Sequence, residues 1–438
     1  MKIVLPVHHF PPRYTAGGEQ YVHRLARWLQ EHDCDVEVVC LESIETGKPD
    51  RVEAWLDHYD GLRVWRLSYD LMRAPQRKRW TFDSEPLRAW FAGYLRDARP
   101  DVIHFHAGYL LGVGPLFEAA SAGVPSVLTL HDYWFLCPRH TLLRSEGTLC
   151  EEIPEDPAGC AWCRYAEERR YRVTMNRLSL GLFGKVMQAI GLENDSALIS
   201  ERRARLAEAI RLPRMVISPS RFLARYFEGI VDPERLRVVR FGFDLARFRA
   251  IPAPPSDGAV RIGYIGQIAH HKGVHLLIRA FRSLNLGARQ VELHIYGSLK
   301  SNPAYVAQLK SLASGDARVH FEGPFENARV AEVMKRLSAL VVPSIWFENS
   351  PLVILESLSA GTPVITANIG GMAELVQDGV DGLHFAAGSA SHLARQLQRL
   401  VDDPDLLARL RQGAAASPAP RSIDDEMTDL MSIYRELI

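Results

Sequence analysis

This chain lacks a net charge. Its Lys plus Arg and its Asp plus Glu number 52 each. A nucleic-acid binder needs a basic excess to displace counterions from phosphates, so the equality argues against that class. No stretch reaches 18 uninterrupted apolar residues, and no transmembrane helix is expected. A secretory leader is not expected either. The start Met1-Lys2-Ile3-Val4-Leu5-Pro6-Val7-His8-His9 breaks into Pro and His too soon and reads as a first strand. These absences make a cytoplasmic protein the expectation. Cysteine is scarce, at six residues, yet four of the six fall between Cys137 and Cys163.

What is present is an α/β alternation over 438 residues, a length that suits two or three domains. Residues 2–7 read as a strand, the loop around Gly17-Gly18 as a turn, and residues 19–31 as an amphipathic helix. A strand, a glycine loop and a helix form a Rossmann-like unit, and adjacent glycines either let a backbone approach a phosphate or sugar or simply make a tight turn. The strand at 101–106 ends in His106, which is placed for a ligand or for structure. The next strand delivers His131 and Asp132 at its carboxyl end, where ligands of such sheets bind. Adjacent residues on a strand end point in different directions, so no dyad is read from that pair. Residues 249–258 form a Pro-rich linker, after which the alternation restarts. In the restarted pattern, Lys272 follows a strand end in a loop that opens a helix, the natural place for a cation meeting a diphosphate.

The stretch from Leu340 to Ile365 reads as strand, loop, helix and strand. Ser350 is expected to cap the helix and Pro351 to occupy its first position. Glu348 lies just before the helix and Glu356 within it. A helix N-terminus attracts anions. Carboxylates beside it are suited instead to accept hydrogen bonds from sugar hydroxyls. Together they describe a nucleotide-sugar pocket.

The cysteines Cys137, Cys150, Cys160 and Cys163 have the spacing C-x12-C-x9-C-x2-C. The last pair has a zinc-ligand spacing, so a structural zinc is expected, with free thiols or a disulfide or redox role as alternatives. Two basic segments remain. Arg73, Arg77, Lys78 and Arg79 read either as a solvated loop or as a patch for an anionic acceptor or lipid headgroups. Residues 167–192 read as a basic helix, either an ordinary surface helix or one lying on an anionic membrane.

Taken together, Glu348-Asn-Ser-Pro-Leu-Val-Ile-Leu-Glu356, Gly361-Thr-Pro-Val, Gly370-Gly-Met-Ala-Glu374, Gly17-Gly-Glu19, His131-Asp132, Ser218-Pro-Ser220, Gly242-Phe-Asp244 and His271-Lys-Gly273 resemble the family 4 retaining glycosyltransferases. The resemblance covers nearly the whole chain. It implies the α/β GT-B architecture, two Rossmann-like domains facing each other across a cleft. The domains would be 1–248 with a returning helix at 420–438, and 258–415. It implies a nucleotide-diphosphate sugar donor, UDP- or GDP-linked, held mostly by the second domain through Asn349, Ser350, Pro351 and Leu352. Glu356 would bind the ribose, Glu348 the transferred sugar, Lys272 the diphosphate and His131 the donor sugar. Gly17 and Gly18 would let the first domain's backbone approach. No catalytic cofactor or divalent metal is implied. The expected acceptor is a saccharide or a lipid-linked saccharide, with peripheral contact at the inner face of the cytoplasmic membrane as one setting. One position departs from the family. Gln267 stands where an arginine is usual, so charge on the leaving diphosphate would fall to Lys272, helix N-termini and His270 or His271. A catalytically weakened binding scaffold is one alternative function. Another GT-B enzyme, such as a nucleotide-sugar epimerase, is the other.

Overall fold

The computed structural model describes residues 1–48, 51–106, 108–165, 180–252 and 257–438. It divides into two compact units. The first comprises Met1–Pro219, Leu223–Val239 and Met427–Ile438; the second comprises Ser220–Phe222 and Arg240–Glu426.

The first unit is built on eight strands: β1 Lys2–Val7, β2 Asp35–Ser43, β3 Glu53–Tyr59, β4 Leu62–Ser68, β5 Val102–Phe105, β6 Ser126–Thr129, β7 Met215–Ser218 and β8 Leu236–Val238. Their order across the sheet is β3-β4-β2-β1-β5-β6-β7-β8. Every neighbouring pair is parallel except β3 with β4. Parallel strands need helices on both faces, so their residues are continuously apolar and buried. Ile3, Val4 and Leu5 of β1 and Val102 and Ile103 of β5 are all fully buried. The strand order reverses between β1 and β5, the position at which doubly wound sheets open a crevice for ligands.

Strand β3 goes unpredicted in the residue pattern. It is an exposed edge, with Trp55 and Leu56 in solvent, and so carries no apolar run. Asp60-Gly61 at the β3–β4 turn is nonetheless a two-residue hairpin signal. The expected basic helix also differs. Residues 166–179 lie outside the described residues, and the helix Leu180–Ala209 runs well past the expected end at 192. Lys78 and Arg79 of the first basic segment are paired, Lys78 with Asp195 at 2.6 Å and Arg79 with Glu201 at 2.9 Å, while Arg73 and Arg77 are exposed.

The second unit has a six-stranded sheet. A short strand β9, Gly242–Phe243, precedes β10 Val260–Ile265, β11 Val291–Tyr296, β12 Val319–Gly323, β13 Ala339–Val342, β14 Val364–Ala367 and β15 Gly382–Phe385. The sheet order is β12-β11-β10-β13-β14-β15, all parallel, and reverses between β10 and β13. The short strand β16, Arg421–Ser422, pairs with β9, and Glu426 accepts the Gly242 N–H at 2.6 Å. The final helix, Ile423–Leu437, then enters the first unit, where the Tyr434 hydroxyl meets Nδ1 of His104 on β5 at 2.6 Å.

Candidate active site

In the second unit the reversal point gathers the polar residues. Strand β10 is followed by Gly266, whose φ of +152° suits glycine, and then by Gln267 on the surface. The chain then makes a turn through His270–Lys272. Gly273, at φ +73°, turns it into the helix Val274–Arg282. A Cβ on Gly273 would lie 1.8 Å from the Pro343 carbonyl oxygen, so only glycine lets this loop seat against the end of β13. Ile345 N–H donates to the His271 carbonyl at 2.9 Å and ties the two loops together.

Glu348 lies at their junction. Its side chain is buried, and its Oε1 accepts from Lys272 Nζ at 2.6 Å, Ser344 Oγ at 2.7 Å and Trp346 Nε1 at 2.8 Å. Among the described residues no hydrogen bond reaches Oε2, which leaves that oxygen for an incoming hydroxyl. Burial pushes the carboxyl up, but the Lys272 charge and the converging donors outweigh it and hold the group below its ordinary value. Behind it, Gly371 N–H donates to the Glu348 carbonyl at 2.7 Å. A Cβ on Gly371 would lie 1.6 Å from the Asn349 carbonyl oxygen. The glycine pair Gly370-Gly371 is therefore required for the 348–349 backbone to sit where it does.

The helix of this stretch is Leu352–Ser359, and its cap is Pro351, without a side-chain bond. Ser350 is not the cap expected from its residue type. Its Oγ is buried and lacks a hydrogen-bond partner among the described residues. That hydroxyl lies just before the helix start, with an unmet bond to offer. Asn349 is buried, Leu352 and Glu356 are half-buried, and Glu356 lies in the second turn of the helix. His271 does not add charge at neutral pH. Burial, and then the neighbouring Lys272 charge, lower its pKa to about 4. As it stands it is a neutral ring beside Lys272.

In the first unit the reversal point collects histidines. His8 follows β1, and its Nε2 lies 3.1 Å from Glu19 of the helix Gly17–Glu31. Gly17 and Gly18 open that helix, and a Cβ on Gly18 would be 3.8 Å from His8 Cε1. His106 follows β5, is buried, and lies 3.3 Å from His131 through Nδ1 and Nε2. Nε2 of His106 has no partner among the described residues. Burial lowers the pKa of His131 to about 3, so it is a neutral ring. Asp132 accepts from Trp134 N–H at 2.8 Å, a contact typical of a turn. Residue reasoning assigned no role to His8 or Glu19. Glu19 is two residues from Gly17 in the quoted motif, and His8 is the first residue past β1; both positions were available as signals.

Among the described residues one group is placed to hold a metal. Glu292, His294 and His320, on neighbouring strands β11 and β12, have ligand atoms within 4.8 Å of one another. The four cysteines Cys137, Cys150, Cys160 and Cys163 line one cavity of 160 Å³ in the first unit. None of the six cysteines forms a disulfide.

Comparison with known proteins fits this layout. Residues 16–179 match the family described as glycosyl transferase 4-like domain, and residues 249–417 match glycosyl transferases group 1. A glycogen synthase of Mycobacterium tuberculosis is 31% identical over 424 residues, spanning 94% of this chain and 89% of that protein. A D-inositol 3-phosphate glycosyltransferase of Rhodococcus jostii is 31% identical over 235 residues, half of each chain. Among solved structures, Anabaena HepE in complex with UDP and glucose superposes with a TM-score of 0.66 at 17% identity over the whole of both chains. WaaG, a glycosyltransferase involved in lipopolysaccharide biosynthesis, does so with 0.64 at 16% identity over 99% of each. With two doubly wound units, a polar cluster at each sheet's reversal point and these similarities along nearly its full length, the chain belongs to the family 4 glycosyltransferases and has their GT-B fold.

Proposed function

We propose that the protein is a retaining, metal-independent hexosyltransferase. It moves a sugar from a UDP- or GDP-linked donor to a saccharide or lipid-linked saccharide in glycan synthesis. The observation that carries this reading is Glu348: a buried carboxylate kept ionised by Lys272, with three donors on one oxygen and the other left to accept. An ionised, pre-oriented carboxylate can fix a sugar hydroxyl without reorganising. The Lys272 ammonium has three protons and uses one on Glu348, so it can also bond a diphosphate oxygen. The Ser350 hydroxyl, with its bond unmet, and the N-terminus of Leu352–Ser359 are assigned to the same diphosphate. Glu356 is assigned to the ribose. Gln267 is exposed and offers a neutral donor only. On the first unit, Gly17, Gly18 and His131 are assigned to the donor by their match to the family motif.

In this reading the bond from the anomeric carbon to the phosphate oxygen breaks, and positive charge develops on the ring. The acceptor hydroxyl approaches from the face the diphosphate leaves. Its proton passes to the departing phosphate oxygen as the new glycosidic bond forms. No side-chain base is required. The similarity to HepE in complex with UDP and glucose favours uridine as the first donor base to test. A cytoplasmic setting, with or without peripheral membrane contact through the exposed Arg73 and Arg77, belongs to this proposal as well.

The test is release of nucleoside diphosphate from a panel of nucleotide sugars and acceptors, with the product anomer read by NMR. The reading expects acceptor-dependent release, retention of the anomeric configuration and no loss with a chelator. Release without acceptor would favour an epimerase instead, and an inverted product would remove the retaining mechanism.

A further inference from the structure

Between β6 and the helix Pro157–Tyr165 the chain has little regular structure, yet the four cysteines of residues 137–163 meet at one cavity. Cys137 sits in a turn, its N–H bonded to the Tyr133 carbonyl at 2.7 Å. Cys150 follows the isolated bridge between Leu143 and Leu149, its N–H bonded to the Leu142 carbonyl at 2.7 Å. Cys160 and Cys163 lie three apart on the helix Pro157–Tyr165, hence on one face. The remaining wall is largely apolar, with Leu142, Leu143, Pro154 and Trp162.

Three arginines stand against the sulfurs. Arg203 donates to Cys160 Sγ at 3.2 Å, Arg139 reaches Cys163 Sγ at 3.7 Å, and Arg144 bonds the Cys150 thiol. With the thiols neutral, Glu146 is the one carboxylate among the described residues lining the cavity to meet these cations. Four thiolates around a divalent ion carry two net negative charges, which nearby guanidinium groups compensate. A full set of sulfur ligands with no open position is the make-up of a structural site.

We propose that Cys137, Cys150, Cys160 and Cys163 bind one zinc ion as thiolates and that this ion fixes the 133–163 segment beyond β6. Among the described residues the sulfurs are not gathered within 4.8 Å, as the Glu292, His294 and His320 set is, so ligation turns the cysteine side chains inward. Four protons leave to solvent as the zinc is taken up. The segment is also held by the burial of Tyr133, Trp134, Leu142 and Ala161 and by polar bonds: Arg202 to the Trp134 carbonyl, and Arg203 to the Pro154 and Glu155 carbonyls at 2.8 Å each. It begins two residues after His131, so the ion sets the footing of that ring. Whether zinc binds here does not depend on the sugar chemistry proposed above.

The experiment is metal analysis of the full chain purified without chelator, with titration of reactive thiols before and after a chelator is added. We expect one zinc per chain, protection of the four clustered thiols until the chelator acts, and loss of the zinc in Cys160→Ser/Cys163→Ser. His294→Ala/His320→Ala should keep its zinc. The proposal is overturned by wild type that stays metal-free after incubation with zinc and washing. It is equally overturned by a disulfide among the four, by iron with sulfide, or by zinc lost from the histidine variant and kept in the cysteine variant. Should the cysteine variant fail to fold, the wild-type zinc content and thiol protection decide alone.

Discussion

Lys272 and Glu348 stabilise each other's charge, and removing either partner has two separable effects. Lys272→Ala leaves Glu348 buried with only Ser344 and Trp346 as donors, which costs about 1–3 kcal/mol of stability. It also removes the cation proposed for the diphosphate. Transfer should fall by at least a hundredfold while the fold persists, as turnover and circular dichroism would report. Glu348→Ala should abolish most transfer as well. The pH dependence carries a definite sign. The folded Glu348 carboxyl titrates below its ordinary value of 4.5, so its stabilisation is present above that pH and is lost as pH falls through the folded value. The buried histidines act at higher pH. Burial lowers His104 from 6.5 to about 3 and drives His106 well down. The unfolded chain therefore takes up protons that the folded chain refuses, from about pH 6.5 downward. Stability should fall across this window by about 1.4 kcal/mol per pH unit for each neutral histidine. Thermal unfolding between pH 7 and 5 checks it, and a slope that stayed flat would contradict the burial of these rings.

At the scale of elements, most strands of the two sheets were legible because burial on both faces writes continuous apolar runs, as in Ile3–Leu5 and Leu340–Val342, whereas β15, Gly382–Phe385, was not read because its apolar run is short and broken by His384. Strand β3 was not legible in this way, since an exposed edge has no such run. The stretch of Glu348 and Glu356 was read as strand, loop and helix, and the structure has that order. The cap was misassigned because residue preference places Ser at a helix start, whereas Pro351 occupies the cap and Ser350 is left with an unmet hydroxyl. The Lys272–Glu348 bond was beyond sequence reasoning, because it joins residues 76 positions apart through two loop conformations. Those conformations rest on glycine. Gly273→Ala and Gly371→Ala would each place a Cβ within 2 Å of a backbone oxygen. Each should destabilise the second unit by about 1–3 kcal/mol and displace Glu348. Denaturant unfolding together with turnover would check this, and wild-type values for both would contradict the loop account.

The whole molecule is one chain that leaves its first unit and returns to it. The returning helix is held in part by Tyr434 against His104, both buried. Tyr434→Phe removes the hydroxyl and leaves His104 Nδ1 without that partner, at a cost of about 1–3 kcal/mol. A lowered Tm with unchanged donor affinity is expected, because the donor is assigned mainly to the second unit. That assignment is the central claim, and titration calorimetry of UDP, GDP and their sugars against wild type and Lys272→Ala tests it most directly. At least one of these ligands should bind wild type, and Lys272→Ala should bind it at least tenfold more weakly. Equal affinity in the two proteins, or no binding of any nucleotide to wild type, would contradict a donor site at the β10–β13 reversal.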